Sequence, residues 1–420
     1  MKKLFFIGFA LLAAAVSCSK GDYVGGRGGY VDGEYASMPM DGDAEGGWVG
    51  FGEGNQESGG GQAGVLTAGE WNDLSHWDFW GSLMSREYDP EATPEEEQQQ
   101  TPDYAGMAYS WGFNTVHRIA VKVKTAEGAP VPNAVVELLQ GSQAIWTTRS
   151  SNRGEAQLWQ DLYAARGQES ASAEPLRVRI NGVLQEGNPV VSTWTGATVN
   201  EYVVSISQQL KARSDVAFIV DATGSMSDEI DFLKKDLLSI LQKVQQTSEL
   251  RTGAVFYRDK GDYYVTRSDD FTTPAKTMTF IGKQSAEGGG DLPEAVHTAL
   301  ETALKDLSWD MDARARMAFL ILDAPAHQNE QDVILSLQRS IKAFATAGIR
   351  IVPVLASTGD KTTEFMCRNF AIVTGGTYVF LTDDSGVGGT HIAPSVGDYQ
   401  VEKLNDLLYR IINEYIGIAN

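Results

Sequence analysis

The sequence predicts an α/β protein with a doubly wound, mostly parallel sheet in its C-terminal half and a small all-β sandwich before it. Between Val116 and about Ile206, short runs alternate apolar and polar residues with period two, which is typical of half-buried strands. After Ser214 the apolar runs become continuous and are separated by helical patterns, which is typical of buried parallel strands joined by helices. These runs are Val216–Val220, Thr252–Tyr257, Met317–Leu322, Ile349–Leu355 and Thr377–Leu381.

The first residues have the layout of an export signal. Lys2 and Lys3 precede an apolar run that ends at Val16, and small residues follow it. This run is shorter than the roughly 20 residues that a transmembrane helix needs. We therefore expect residues 1–17 to be a signal peptide, and we expect no transmembrane segment.

Ala15-Val16-Ser17-Cys18 resembles the lipobox of bacterial lipoproteins, in which the Cys is acylated and becomes the new N-terminus. Ala15 departs from that family, which usually has Leu at this position. The same residues also fit ordinary cleavage after a small-x-small triplet, which would leave Cys18 as a free thiol. The resemblance implies lipid at Cys18 and a place in the bacterial cell envelope, with the outer membrane as the expected anchor.

The net charge of −21 bears on the class of partner. A chain this acidic is repelled by phosphate backbones, so we expect no nucleic acid partner. If Cys18 is acylated, Cys367 is the one thiol left, and a single thiol cannot form an internal disulfide.

Composition divides the region before the C-terminal half into three segments. Residues 18–64 are dominated by Gly and are expected to form a flexible tether behind the lipidated Cys. Residues 65–114 are an aromatic-rich segment followed by an acidic linker, and their large aromatics fit either burial or an exposed patch that contacts glycan or protein. Residues 115–210 are the predicted sandwich, and residues 211–420 the α/β domain. Because the composition changes near Ser214, we expect few contacts across that boundary.

The stretch Gly128-Ala129-Pro130-Val131-Pro132-Asn133-Ala134-Val135-Val136 within the sandwich resembles carboxypeptidase regulatory-like domains of secreted bacterial proteins. Thr148 and Gly154-Glu155-Ala156 extend the match. Such domains are generally spacers, so the resemblance implies no chemistry for this segment.

The most informative residues follow the first C-terminal strand, which ends in Asp221-Ala222-Thr223-Gly224-Ser225 before a helix. Ligands of open α/β sheets bind beyond the carboxyl ends of the strands. A carboxylate and two hydroxyls at alternate positions of one tight turn suit a hard cation such as Mg²⁺. The alternative is an acidic turn with a helix cap formed by Ser225 and Asp228.

Asp-x-Thr-Gly-Ser at Asp221–Ser225 resembles the metal-ion-dependent adhesion site of von Willebrand factor A (vWA) domains. In that family a further ligand is an Asp after the fourth strand, and here Asp323 follows Met317–Leu322. The middle loop, Gly288-Gly289-Gly290-Asp291-Leu292-Pro293-Glu294-Ala295-Val296, has Gly290 where the usual Thr would fall. This variant resembles the A domains of alpha-kinase-linked proteins, which also share Tyr257-Arg258-Asp259 and Asp323-Ala324-Pro325. No alpha-kinase segment is recognised, so kinase activity is not implied.

The resemblance implies a divalent metal site. Asp221, Thr223, Ser225 and Asp323 would hold the ion directly or through water, and Asp291 is our candidate for the position without Thr. An added carboxylate would let Ca²⁺ or Mn²⁺ compete with Mg²⁺, the expected ion. The alternative for Asp291 is the N-cap of a helix over Pro293–Leu304. His327 lies near the rim and is read as a hydrogen-bonding residue, with a metal role as its alternative.

In vWA domains a carboxylate of the partner protein completes the metal coordination. The resemblance therefore implies an envelope protein that binds a protein or peptide ligand through the metal, and not an enzyme. The sequence has no His-Glu-x-x-His helix, Gly-x-Ser-x-Gly elbow or Gly-x-x-x-x-Gly-Lys loop. Two alternatives stay open: a scaffold that docks envelope proteins without metal, and a metal-dependent hydrolase.

Overall fold

The computed structural model describes residues 66–85, 102–164, 174–205, 210–290, 292–385 and 391–417. All of them belong to one compact unit. The predictions for the signal peptide, for Cys18, for the tether at 18–64 and for the placement of Asp291 lie outside the described residues.

Among the described residues before 210, the elements are two short helices and eight strands. In chain order they are β1 (Thr67–Trp71), α1 (Trp77–Met84), α2 (Tyr104–Trp111), β2 (Arg118–Lys124), β3 (Val135–Gln140), β4 (Gln143–Arg149), β5 (Glu155–Trp159), β6 (Leu176–Ile180), β7 (Val183–Leu184) and β8 (Val199–Val203).

The remaining described elements are strands separated by helices, as predicted, with three exceptions. In chain order these elements are β9 (Ser214–Asp221), α3 (Ser227–Gln245), β10 (Leu250–Tyr257), β11 (Thr266–Thr272), α4 (Pro274–Ile281), α5 (Val296–Asp306), β12 (Arg316–Leu322), α6 (Gln331–Ala347), β13 (Arg350–Leu355), α7 (Lys361–Thr374), β14 (Tyr378–Thr382), β15 (Glu402–Lys403) and α8 (Leu404–Ile416). The exceptions are that β11 follows β10 directly, α5 follows α4, and the short β15 comes after β14. None of the helices in the described part of the chain has the length and apolar character that crossing a membrane requires.

The large sheet has the order β11-β10-β9-β12-β13-β14-β1-β15. Its five central strands, from β10 to β14, run parallel, while β11 and β1 pair antiparallel with their neighbours. This architecture, with helices on both faces, confirms the predicted α/β fold class. The sequence did not predict one strand of this sheet, β1, which comes from the aromatic-rich segment. Its Thr67 pairs with Thr382, near the other end of the chain.

Alternate residues of each central strand enter opposite cores because successive side chains of a strand point to opposite faces. On β9, Phe218 packs into the core under α3, α4 and α8, whereas Ile219 packs into the core under α5, α6 and α7. Both faces of the parallel strands are therefore buried, which explains why these strands read as continuous apolar runs.

The sandwich consists of a three-stranded sheet, β5-β2-β8, and a four-stranded sheet, β4-β3-β6-β7. It packs on α6 and α7, and its Trp146 and Leu158 share one buried cluster with Phe344 of α6 and Phe370 of α7. The structure thus differs from the expectation that few contacts cross the boundary near Ser214. Apolar side chains of α6 and α7, among them Phe344 and Phe370, are buried together with side chains of the sandwich.

The aromatic-rich segment forms core, which decides between the two alternatives left open by the sequence. Trp71, Trp77 and Trp80 are at most 5% exposed. The same segment contributes Asp73, whose carboxylate accepts two hydrogen bonds from Arg368 of α7 at 2.9 and 2.6 Å. Both side chains are buried, so this segment is tied to the α/β domain by apolar packing and by an ion pair.

Candidate metal centre

Two neighbouring parallel strands place a carboxylate at the same edge of the large sheet. Asp221 is the last residue of β9, and Asp323 follows directly after β12, which pairs with β9. Their residues are 0% and 4% exposed, respectively. The resemblance to vWA domains implied that these two residues belong to one site, and the structure brings both carboxylates to the same edge.

The turn after β9 is organised around Asp221. The backbone N–H and the hydroxyl of Thr223 donate to Asp221 Oδ1 at 2.9 and 2.8 Å. Asp221 Oδ2 is buried and accepts no hydrogen bond of normal geometry from the described residues, although the buried Tyr257 hydroxyl also acts on this carboxyl group. One oxygen therefore fixes the turn, while the other is not held by such a bond. A 3₁₀ turn over Gly224–Met226 follows, and α3 has Met226 at its N-cap with no side-chain cap bond, so Ser225 is not the N-cap that the capping alternative requires.

Asp323 has the same division between a bonded and an unbonded oxygen. Thr358, in the loop after β13, donates its hydroxyl to Asp323 Oδ2 at 3.2 Å. Asp323 Oδ1 is buried without a hydrogen-bond partner among the described residues. Thr358 adopts a left-handed φ of 65°, which is uncommon for a β-branched residue and marks a constrained loop.

Burial and mutual repulsion act on both carboxyl groups. Burial and, after it, the charge of Asp323 raise the pKa of Asp221 to about 7, against the lowering effect of its hydrogen bonds from Thr223. Burial also raises the pKa of Asp323, while the nearby Ser225 and Thr358 hydroxyls lower it. Two buried carboxylates without an ion pair to any described residue are a costly arrangement unless a cation neutralises them.

The donor set fits a hard divalent cation. Carboxylate oxygens of Asp221 and Asp323 and hydroxyls of Thr223 and Ser225 are the ligand types that Mg²⁺ and Ca²⁺ prefer. Within the described ranges, however, no three His, Cys, Asp or Glu side chains are grouped to hold a metal ion. The described part of the chain thus offers two carboxylates and hydroxyls, while the candidate third carboxylate, Asp291, lies outside the described residues.

Glu294 is a further acidic residue near the site, and a helix over Pro293–Leu304 would have its first turn at this residue. The helix α5 begins instead at Val296, with Ala295 at its N-cap, so the N-cap alternative for Asp291 is wrong. The backbone N–H of Glu294 donates to Pro325 O at 2.8 Å, which ties its loop to the loop after β12 and delays the helix.

The Glu294 side chain is 3% exposed, and its Oε2 has no hydrogen-bond partner among the described residues. Burial raises its pKa to about 9, with Asp221 the largest of the neighbouring charges that add to the effect. Gly289 packs against both Glu294 and Thr223: a Cβ at its position would lie 3.3 Å from Glu294 Oε1 and 3.3 Å from Thr223 Cβ. The sequence signal that could have identified Glu294 is its position in Pro-Glu-Ala, shortly after the three glycines.

Residues that follow β10 hold the surrounding loops together. Arg258 donates to Ala222 O at 3.1 Å and to Ser285 O at 2.9 Å, and thereby joins the turn after β9 to the glycine-rich loop. Asp259 Oδ1 lies 2.7 Å from His327 Nε2. His327 therefore has a hydrogen-bonding role in the structure, as its sequence context suggested.

Residues 215–382 match the family model of the von Willebrand factor A domain. The chain thus contains a vWA domain, and the matched stretch spans the large sheet from β9 to β14 together with Asp221 and Asp323.

Two curated proteins are similar to this chain. One is a putative ariadne-like RING finger protein of Acanthamoeba polyphaga mimivirus, with 29% identity over 40% of this chain and 18% of that protein. The other is the alpha-protein kinase vwkA of Dictyostelium discoideum, with 23% identity over 49% of this chain and 33% of that protein. The matches span a third or less of the length of these relatives.

Solved structures with partial similarity include a pilus adhesin, SpaC, from Lactobacillus rhamnosus GG in an open conformation. Its TM-score is 0.33 at 13% identity, covering 50% of this chain and 30% of the adhesin. Proximal thread matrix protein 1 from the mussel byssus has a TM-score of 0.33 at 14% identity, covering 49% of this chain and 45% of that protein.

Proposed function

We propose that this chain is an envelope lipoprotein that binds a protein or peptide ligand through a divalent cation on its vWA domain. One observation carries the proposal: Asp221 and Asp323 each bury an oxygen that accepts no hydrogen bond of normal geometry from the described residues, at the edge of the sheet where ligands of such folds bind. The resemblance of the motifs to metal-ion-dependent adhesion sites supports the same role.

Asp221, Thr223, Ser225 and Asp323 are the proposed ligands, and Asp291 is the proposed additional carboxylate. When bound, the cation supplies positive charge that attracts a carboxylate of the partner. Thr223 and Thr358 orient the two aspartates by the hydrogen bonds described above, and Arg258 fixes the loops around them. Mg²⁺ is the proposed ion, with Ca²⁺ and Mn²⁺ as alternatives.

Thermal unfolding with the ion alone tests the metal site. An ion that binds only the folded chain at about 100 times its Kd should add about 2.7 kcal/mol to the free energy of unfolding. We expect Mg²⁺ to raise the Tm of the wild type and to have no effect on Asp221→Ala. Asp312→Ala is the matched control, because Asp312 is an exposed acid outside the site, and it should respond to Mg²⁺ like the wild type.

Equal stabilisation of Asp221→Ala and the wild type by Mg²⁺ would disprove the assigned site. A capture assay for protein ligands, run once with Mg²⁺ and once with chelator, then distinguishes metal-bridged binding from a docking scaffold. Binding that persists in chelator would favour a docking scaffold over metal-bridged capture.

The proposed anchor is lipid on Cys18. Radiolabelled palmitate should label the wild type and leave Cys18→Ser unlabelled, because the acceptor thiol is removed. Equal labelling of the two proteins would exclude this anchor, while the metal site would be unaffected.

A further inference from the structure

A cavity lies where the sandwich meets the amino-terminal ends of the parallel strands, whereas Asp221 and Asp323 lie at their carboxyl ends. It has a volume of about 450 Å³. Its floor is the outer face of the β5-β2-β8 sheet, with Ala120 and Lys122 of β2 and Gln157 of β5, and Arg350, at the start of β13, lines it from the vWA domain. Ligand pockets commonly have volumes of 300–1,000 Å³, so this cavity is large enough for a small molecule.

Arg118 is a buried cation in this cavity. It is 4% exposed, and its guanidinium donates to Gln157 Oε1 at 2.9 Å and to Leu74 O at 3.1 Å. It also lies over the Trp77 ring, with Cζ 4.6 Å from the centroid. No carboxylate of the described residues forms an ion pair with it. Burial lowers the pKa of Arg118 to about 10, so it remains charged at neutral pH.

Arg350 is a second buried cation without an acidic partner among the described residues. It is 6% exposed and donates to Thr374 O at 2.9 Å and to Arg149 O at 2.6 Å. Thr374 is the last residue of α7, so the negative end of a helix offsets part of this charge. Arg118 has no comparable helix end among the contacts described above.

The acidic residues of the cavity are already paired with other cations. Glu70 pairs with Arg410 at 2.8 Å, and Glu155 pairs with Lys122 at 3.1 Å. The other two acidic residues of the lining also form ion pairs, Glu201 with Lys124 and Glu414 with Arg410 and Arg153. The negative charge of Glu155 also raises the pKa of Arg118 and of Arg350 from a longer distance. This single carboxylate therefore compensates part of the charge of three cations.

Two buried guanidinium groups without an ion pair among the described residues are unfavourable, since Glu155 compensates them only from a distance, and they are unexpected at a cavity of a chain with a net charge of −21. An anion inside the cavity would relieve this excess of positive charge. The lining also offers the side chains of Asn72, Ser75 and Gln157, which are suited to hydrogen bonds with hydroxyl groups.

We propose that this cavity binds a small anion that carries several hydroxyl groups, either a sugar acid or a sugar phosphate. Arg118 and Arg350 bind the acidic group, and the amide and hydroxyl side chains of the lining bind the hydroxyls. This site is separate from the proposed metal centre and does not depend on it.

Thermal unfolding of the full chain with D-glucuronate, glucose 6-phosphate, glucose or inorganic phosphate tests the proposal, at constant ionic strength and in chelator. We expect a saturable rise of about 4 °C at about 100 times Kd with the sugar acid or the sugar phosphate, and none with glucose. The stronger of the two anions identifies the acidic group, and inorganic phosphate should bind at least tenfold more weakly because it lacks the hydroxyls.

Two variants and a control variant check the location. Arg118→Gln removes the unpaired charge and should abolish the rise, whereas Arg339→Gln, an exposed arginine outside the lining, should retain it. Ser75→Trp narrows the cavity without altering charge, and it should weaken binding at least tenfold even if Arg118→Gln folds poorly. The proposal fails if neither sugar anion stabilises the wild type, or if Ser75→Trp and Arg118→Gln respond like the wild type.

Discussion

Asp221 is a buried acid whose titration should control the stability of the metal-free protein. Its pKa of about 7 in the folded chain exceeds the usual 3.8, so the folded chain binds this proton more tightly than the unfolded chain. Stability that is present below about pH 4 is therefore lost as the pH rises towards 7. In chelator, we expect the free energy of unfolding to fall over this range by an amount on the order of a few kcal/mol.

Chemical denaturation at several pH values in chelator measures this effect, with Asp221→Asn as the comparison. The variant cannot ionise at this position, so its stability should depend less on pH and should exceed that of the wild type at pH 8. An identical pH dependence in the two proteins would show that Asp221 does not titrate as the structure indicates.

The sequence predicted the positions of those site residues that follow directly after a strand. Asp221, Thr223 and Asp323 could be located because parallel strands finish at one edge of a sheet, although their role as ligands stays a prediction. Thr358 and the burial of Glu294 could not be predicted in this way. Both depend on how loops from different strands pack together, and Thr358 also has a left-handed backbone that its residue type does not favour.

Among the elements, α7 depends on a charge contributed by a distant segment. Arg368 is completely buried, and Asp73, Glu364 and the Tyr104 hydroxyl surround its guanidinium. Removing one partner of a buried pair costs about 3–5 kcal/mol because the other charge is left uncompensated. We expect Asp73→Ala to lose stability of this order in urea unfolding.

The matched control is Asp78→Asn, an exposed acid of α1 that accepts a hydrogen bond from Gly196 N. Its amide oxygen keeps an acceptor, so its effect should stay within about 0.5 kcal/mol. Similar stabilities for Asp73→Ala and the control would mean that Glu364 alone compensates Arg368.

Strand β1 could not be predicted from the hydrophobic pattern of the sequence. The five continuous runs identified the parallel strands because burial on both faces makes them apolar throughout. Thr67–Trp71 contains Gly69 and Glu70 and has no such pattern. Its assignment depends on pairing with β14, which is a contact between distant parts of the chain.

For the whole molecule, the shared core predicts that residues 211–420 are not an independent folding unit. A fragment with these residues lacks β1, leaves Arg368 without Asp73 and exposes the apolar surface of α6 and α7. We expect it to melt at a lower temperature than residues 66–420 and with weaker cooperativity, and to bind a hydrophobic dye. Calorimetry of both fragments with and without Mg²⁺ gives the comparison.

Equal melting temperatures for the two fragments would contradict this expectation and restore the boundary near Ser214 that the composition suggested. The sequence separated the sandwich from the vWA domain because its hydrophobic period changes there. The hydrophobic period depends only on local structure, so it could not show that the sandwich and the vWA domain bury a common surface.

The pairing of β1 with β14 also has a kinetic consequence. Thr67 and Thr382 are 315 positions apart, so the sheet closes only after nearly the whole chain is available. Contacts with such large sequence separation slow folding because the entropy of loop closure is lost before the contact forms. During vectorial synthesis or export from the N-terminus, β1 would emerge first and wait for its partner, with Trp71 still in water. The order of emergence thus favours a late, concerted closure of the sheet edge.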